Sequence, residues 1–233
     1  MQTRNDYKPR PFIDLIISLL IPSFILMKLS GAEDLGPTYA LIIALSFPIS
    51  WGLYELFRFR HFNFIALLGL ISVLLTGGIG LLKLDTQWLA IKEAAVPGLI
   101  GLGVFISSFT KYPLVKTFIY SPKVFNVDII RERLNSNGSH LAFEKRLQNA
   151  NLLLSLTFVF SSIVNYVLAI MIVTSPAGTA EFNEELGQMN LLSYPVIALP
   201  SMIMMMGILY YLWRTINGLT GLKFEEVIAV KQA

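Results

Sequence analysis

The chain contains no cysteine, which excludes disulfides, thiolate catalysis and cysteine metal sites. Its two histidines, His61 and His140, are too few for a histidine-based metal centre. Charge is scarce: Asp, Glu, Lys and Arg make up 14% of the 233 residues, where a soluble domain carries about 25%. GxSxG, Walker A and HExxH patterns are missing, and no apolar run holds a pair of carboxylates. The expectation is a non-enzymatic protein that needs no cofactor and no metal. Acids interleave with the bases that give the net charge of +3, which argues against a nucleic-acid partner.

What is present is apolar. Hydrophobic residues make up 55% of the chain, and the mean hydropathy is +0.64. One water-soluble core could not hide that surface, so the chain reads as a single polytopic membrane domain. Crossing a bilayer core takes about 20 apolar residues in a helix. Six stretches qualify, at about 12–29, 39–57, 64–82, 94–110, 151–173 and 191–213. The predicted fold class is therefore all-α, a bundle of six transmembrane helices. The basic start and first apolar run also fit a signal peptide, with Ser30-Gly31-Ala32 as a small-residue site. The length of the run, Pro22 inside it and a second span within ten residues favour a first span.

Lysine and arginine set the orientation. Three precede span 1 (Arg4, Lys8, Arg10), two lie in the turn at 58–63, seven in the 111–148 loop and three after span 6. With six spans these fifteen of 18 fall on one side, which predicts cytoplasmic termini. The 174–190 connection has no base and carries Glu181, Glu184 and Glu185. In the 111–148 loop, Ser121-Pro122 looks like the start of a helix carrying Val124, Val127, Ile130 and Leu134. Asn135-Ser-Asn-Gly138 would end it, and the next helix would run towards span 5. This amphipathic loop either lies on anionic lipid or forms a hairpin packed on the bundle. A three-hairpin internal repeat is suggested by Pro48, Pro97 and Pro200, each followed within 10 to 14 residues by a base (Arg58, Lys111, Arg214).

Two places carry polar residues at membrane depth. In span 5, Asn151, Ser155, Ser162 and Asn165 share one helical face, interrupted by Phe158. Such a stripe faces other helices or a cavity, either as packing glue or as a ligand path. At the start of span 4, Lys92 and Glu93 precede Pro97, with Asp85 as a nearby acid for Lys92. A lysine near a helix N-terminus opposes the dipole, which hints at function; a snorkelling lysine is the plainer account. Asp14 and Glu55 read as interfacial, Glu55 with Arg58 as partner. Ala94-x3-Gly98 and Gly103-x3-Ser107 are small-residue pairs that let helices approach closely.

Several of these residues carry a resemblance. Gly77-Gly78, Asp85-x2-Trp88-Leu-x-Ile-Lys92, Lys111-x-Pro113-Leu114, and Asn151 with Asn165-Tyr166 are similar to the bacterial intracellular septation protein A family, the YciB-type inner-membrane proteins. The likeness covers about residues 60–119 and 147–173. The family's tryptophans flanking span 5 are replaced here by Phe143, Leu147 and Leu154, and the 111–148 loop is longer. The resemblance implies a multi-pass protein of the bacterial inner membrane that supports envelope integrity or septation. Its implied partners are envelope-growth or division proteins; membrane lipids, and further copies of the chain as a homo-oligomer, are the other partners expected of such a membrane protein. The alternative is a small transporter or lipid-handling protein that uses the span 5 stripe.

Overall fold

The computed structural model describes residues 11–59, 64–110, 112–122 and 124–228. Expectations placed on Arg4, Lys8, Arg10, Arg60, His61, Lys111, Lys123 and Lys231 lie outside the described residues, as do the side chains of Glu55 and Arg58. Among the described residues the fold is all-helical, without a strand. The first apolar run is α1 (Pro11–Leu15), a π turn (Ile16–Leu20) and α2 (Ile21–Lys28). There follow α3 (Gly36–Phe59), α4 (Phe64–Leu81), α5 (Gln87–Ser107), α6 (Val115–Phe118), α7 (Val127–Ser136), α8 (His140–Ile172) and α9 (Ala180–Ser193). A second π turn (Tyr194–Ala198) leads into α10 (Leu199–Thr220), and α11 (Phe224–Val227) ends the described chain.

Prolines account for the π turns. Pro22 follows the first by two residues; Pro195 lies inside the second and Pro200 two residues beyond it. A proline has no N–H and crowds the carbonyl four residues back. Widening the helix by one residue relieves that crowding: the Ile21 N–H donates to the Ile16 carbonyl, five residues behind.

The chain divides into two compact units, Met1–Val96 with Ile163–Ala198, and Pro97–Ser162 with Leu199–Ala233. This division cuts α5 and α8 and does not follow three sequential hairpins. In the first unit α2 packs on α9 and α3, and α4 packs on α3. The core holds Leu26, Leu41, Leu89, Phe182 and Leu186. Gly187 permits the α2–α9 approach, since a Cβ there would sit 2.9 Å from the Ser23 carbonyl oxygen. The connection before α9 is held by Glu185 of α9. Its carboxylate accepts the N–H and hydroxyl of both Thr174 and Ser175 at 2.8–3.1 Å.

In the second unit the 111–148 region enters the core. Val115, Ile119, Phe125, Ile130, Leu134 and Phe143 are buried together with Leu147, Leu212 and Ile216. The packed arrangement is thus the one seen, and α7 contacts α10 and α11. The helix expected from Ser121-Pro122 begins later, at Val127. Instead the Val124 and Phe125 N–H groups donate to the Ser121 carbonyl, and the Asn126 N–H donates to the Val227 carbonyl at 2.8 Å. That long-range bond beside the Phe125–Ile228 bridge takes the backbone out of helical geometry. Gly138, at φ 61°, ends the segment after α7. Tyr120 lies against Phe125 and Phe143. Burial is the main cause that pushes its hydroxyl up to about 12, with Arg131 opposing.

Candidate intramembrane polar site

The stripe on α8 begins at Asn151, which is fully buried. Its Oδ1 accepts the Val115 N–H at 2.8 Å, and this contact fixes which end of the amide is oxygen. Nδ2 faces the Val104 carbonyl at 2.7 Å, Ser107 Oγ at 2.9 Å and Ser108 Oγ at 2.7 Å. The reason lies in how α5 ends. The N–H groups of Ser108, Phe109 and Thr110 bond three residues back rather than four. That tightening leaves the Val104 carbonyl without its helical donor. Asn151 and the Ser107 hydroxyl (2.7 Å) supply donors instead. Ser107 Oγ also accepts the Leu114 N–H at 3.1 Å. One side chain of α8 therefore joins the end of α5 to the start of α6, and its donors and its acceptor are all in use.

One turn further, Ser155 is buried and donates to the Gly101 carbonyl at 3.1 Å. Phe158, the apolar interruption of the stripe, sits over Gly101, where a Cβ would come within 2.9 Å of the Phe158 Cβ. Ser162 lies opposite Gly98, its Oγ 3.0 Å from where a Cβ would be. Ser162 and Asn165 are half-buried, and neither is without a partner. Leu156, Ile163 and Val167 on the other faces are 61%, 58% and 40% exposed, an apolar surface suited to lipid. Of the small-residue pairs, Gly103 meets open space, so Ser107 acts through its hydroxyl and not through close packing with its pair.

The second place is the Lys92 cluster between α5 and α4. Lys92 is 8% exposed, so it does not snorkel. Its ammonium lies 2.6 Å from Glu93 Oε1, 2.7 Å from Thr76 Oγ1 and 3.2 Å from Ser72 Oγ. Three donors have three acceptors, as a buried ammonium requires. The acid beside Lys92 is Glu93 and not Asp85. Asp85 is exposed and accepts the Gln87 N–H at 2.8 Å, closing the turn that starts α5 at Gln87 rather than at 94.

Sequence reasoning passed over Asn183 on α9. It is fully buried and donates to Ser30 Oγ at 3.0 Å and the Pro37 carbonyl at 2.8 Å. It also passed over the Trp51 indole, which donates to Asp14 at 3.1 Å and ties α3 to the first helical run. Asn183 lies in a stretch rich in acids, so no apolar window drew attention to it.

Among the described residues, four helical stretches are long and apolar enough to cross a membrane: Gly36–Tyr54, Gln87–Ser107, His140–Ile172 and Ala180–Thr220. The class is that of an all-helical membrane protein with buried polar nodes between helices. The chain matches no protein-family model, no curated protein and no solved structure. The likeness to the septation protein A family rests on the sequence motifs alone.

Proposed function

We propose that this is a non-enzymatic protein of the bacterial inner membrane. On this reading it has six spans in three hairpins, both termini cytoplasmic, and supports envelope integrity or septation through protein contacts as a helical scaffold. The observation that favours a scaffold over a transporter is the saturation of Asn151. A residue that binds and releases a solute needs donors or acceptors left for it, and those of Asn151 are committed to α5 and α6. The envelope role rests on the family resemblance, and the orientation on the placement of Lys and Arg. Reporter fusions within 124–148 and after Lys223 are expected to read cytoplasmic, and one within 176–188 external. Deletion in the bacterial host is expected to alter cell length or envelope permeability, with division or envelope proteins recovered on the tagged chain. Solute flux into liposomes that carry the purified protein, lost in Asn165→Leu, would replace this reading with the transporter.

A further inference from the structure

A cavity of about 440 Å³ opens between α8 and α10, lined by Arg146, Tyr211, Arg214, Thr215, Gly218 and Leu219. Two of its six lining residues are cations. The ion pairs among the described residues are Lys92–Glu93 and Lys116–Glu144, so neither arginine is neutralised there. Among the described residues Arg214 donates to the Tyr210 hydroxyl alone, at 3.3 Å. Tyr211 lines the same cavity, and its hydroxyl is buried without a hydrogen-bond partner. The level in the membrane follows from the aromatics. Tyr210 and Trp213 pair at 5.5 Å, Phe224 meets Trp213 at 5.8 Å, and Arg214 comes immediately after. Aromatic rings of this kind sit at the headgroup level. A guanidinium pair presents forked donors that match phosphate oxygens. Leu219 and the Tyr211 ring add apolar wall beside them.

We propose that this cavity binds the phosphodiester of an anionic phospholipid, held by Arg146 and Arg214 with Thr215 as hydroxyl partner. Basic pockets between spans on the cytoplasmic side take such headgroups. The inference rests on the reading of these helix ends as cytoplasmic. The fusions above test that orientation without lipid, and the binding test below runs in detergent without reference to sidedness.

The experiment is native mass spectrometry of the full chain in detergent, titrated with dioleoyl phosphatidylglycerol, dioleoyl phosphatidylcholine or inorganic phosphate. The expected result is one saturable phosphatidylglycerol per chain, bound at least about tenfold more tightly than phosphatidylcholine and not displaced by millimolar phosphate. Arg146→Gln with Arg214→Gln is expected to weaken it by about tenfold or more. Gly218→Leu keeps both charges. It adds its side chain where nothing lies within 4 Å of a Cβ, so it fills the cavity without a clash and should also remove binding. Lys145→Gln, exposed and outside the cavity, should leave binding unchanged. Equal retention by the arginine and Gly218 variants overturns the proposal, as does an equal loss in Lys145→Gln, which would mean diffuse charge attraction. Displacement by inorganic phosphate overturns the lipid in favour of the free anion.

Discussion

Two buried asparagines, one in each unit, show what saturation decides. Asn151 and Asn183 are both fully buried. Asn151 has partners for its carbonyl and its amide, all on backbone or hydroxyl groups at the end of α5 and the start of α6. Asn183 uses its amide on Ser30 and Pro37, but its Oδ1 is buried with no partner. The same residue at the same burial is a closed node in one unit and a half-closed one in the other. The first unit also holds an ionic node: its Lys92 ammonium has acceptors for all three hydrogens. A neutral node and an ionic node thus do the same mechanical work, joining helices, at different sensitivity to loss of one partner.

That contrast can be broken most severely at Lys92. Lys92→Met leaves the Glu93 carboxylate, 22% exposed, without its cation and should cost about 3 kcal/mol. The double variant Lys92→Met with Glu93→Leu should recover most of the loss, since removing both charges lifts the unpaired-charge penalty. Thermal melting in detergent measures both, and a double variant no better than the single would refute the pairing. Next is Asn151→Leu, which strands the Val115 N–H and takes from the Val104 carbonyl one of its donors; it should cost about 2 kcal/mol. Amide exchange at Val115 should rise with it; unchanged protection there would mean that α6 is held by other contacts.

Asn183→Leu should cost less, about 1 kcal/mol, because it removes an orphaned oxygen along with two bonds. If it proves as damaging as Asn151→Leu, the distinction between closed and half-closed nodes fails. The smallest effect belongs to Gly103→Ala. With open space at its Cβ, it should raise stability by about 0.5–1 kcal/mol through helix propensity alone. A loss of that size would show instead that Gly103 is a close-packing position and that Ser107 works with it as a pair.

Much of this was legible in the sequence because it is local. Apolar runs long enough to cross a bilayer, the shared face of Asn151 and Ser155, and the stop at Gly138 follow from periodicity and from single-residue backbone preferences. The π turns had a local cue in Pro22, Pro195 and Pro200, although the cue does not say whether a helix kinks, breaks or widens.

The rest needed partners far along the chain. Val115 and Val104 lie 36 and 47 residues from Asn151, and no spacing rule selects them; the 3₁₀ end of α5 does, by leaving a carbonyl open. Lys92 had two nearby acids, and Glu93 takes the pair while Asp85 holds the turn before α5. The 111–148 region left lipid and the bundle as alternatives for its apolar face, because periodicity shows the face and not what covers it. Folding packs that face inward, as Ile130 and Leu134 join Leu212 and Ile216 in one core. The sequence by itself determined the helices and the faces they carry, since those depend on neighbours three and four residues away. Only the tertiary structure decided which faces meet, because a buried polar atom takes whatever partner the packing brings within reach.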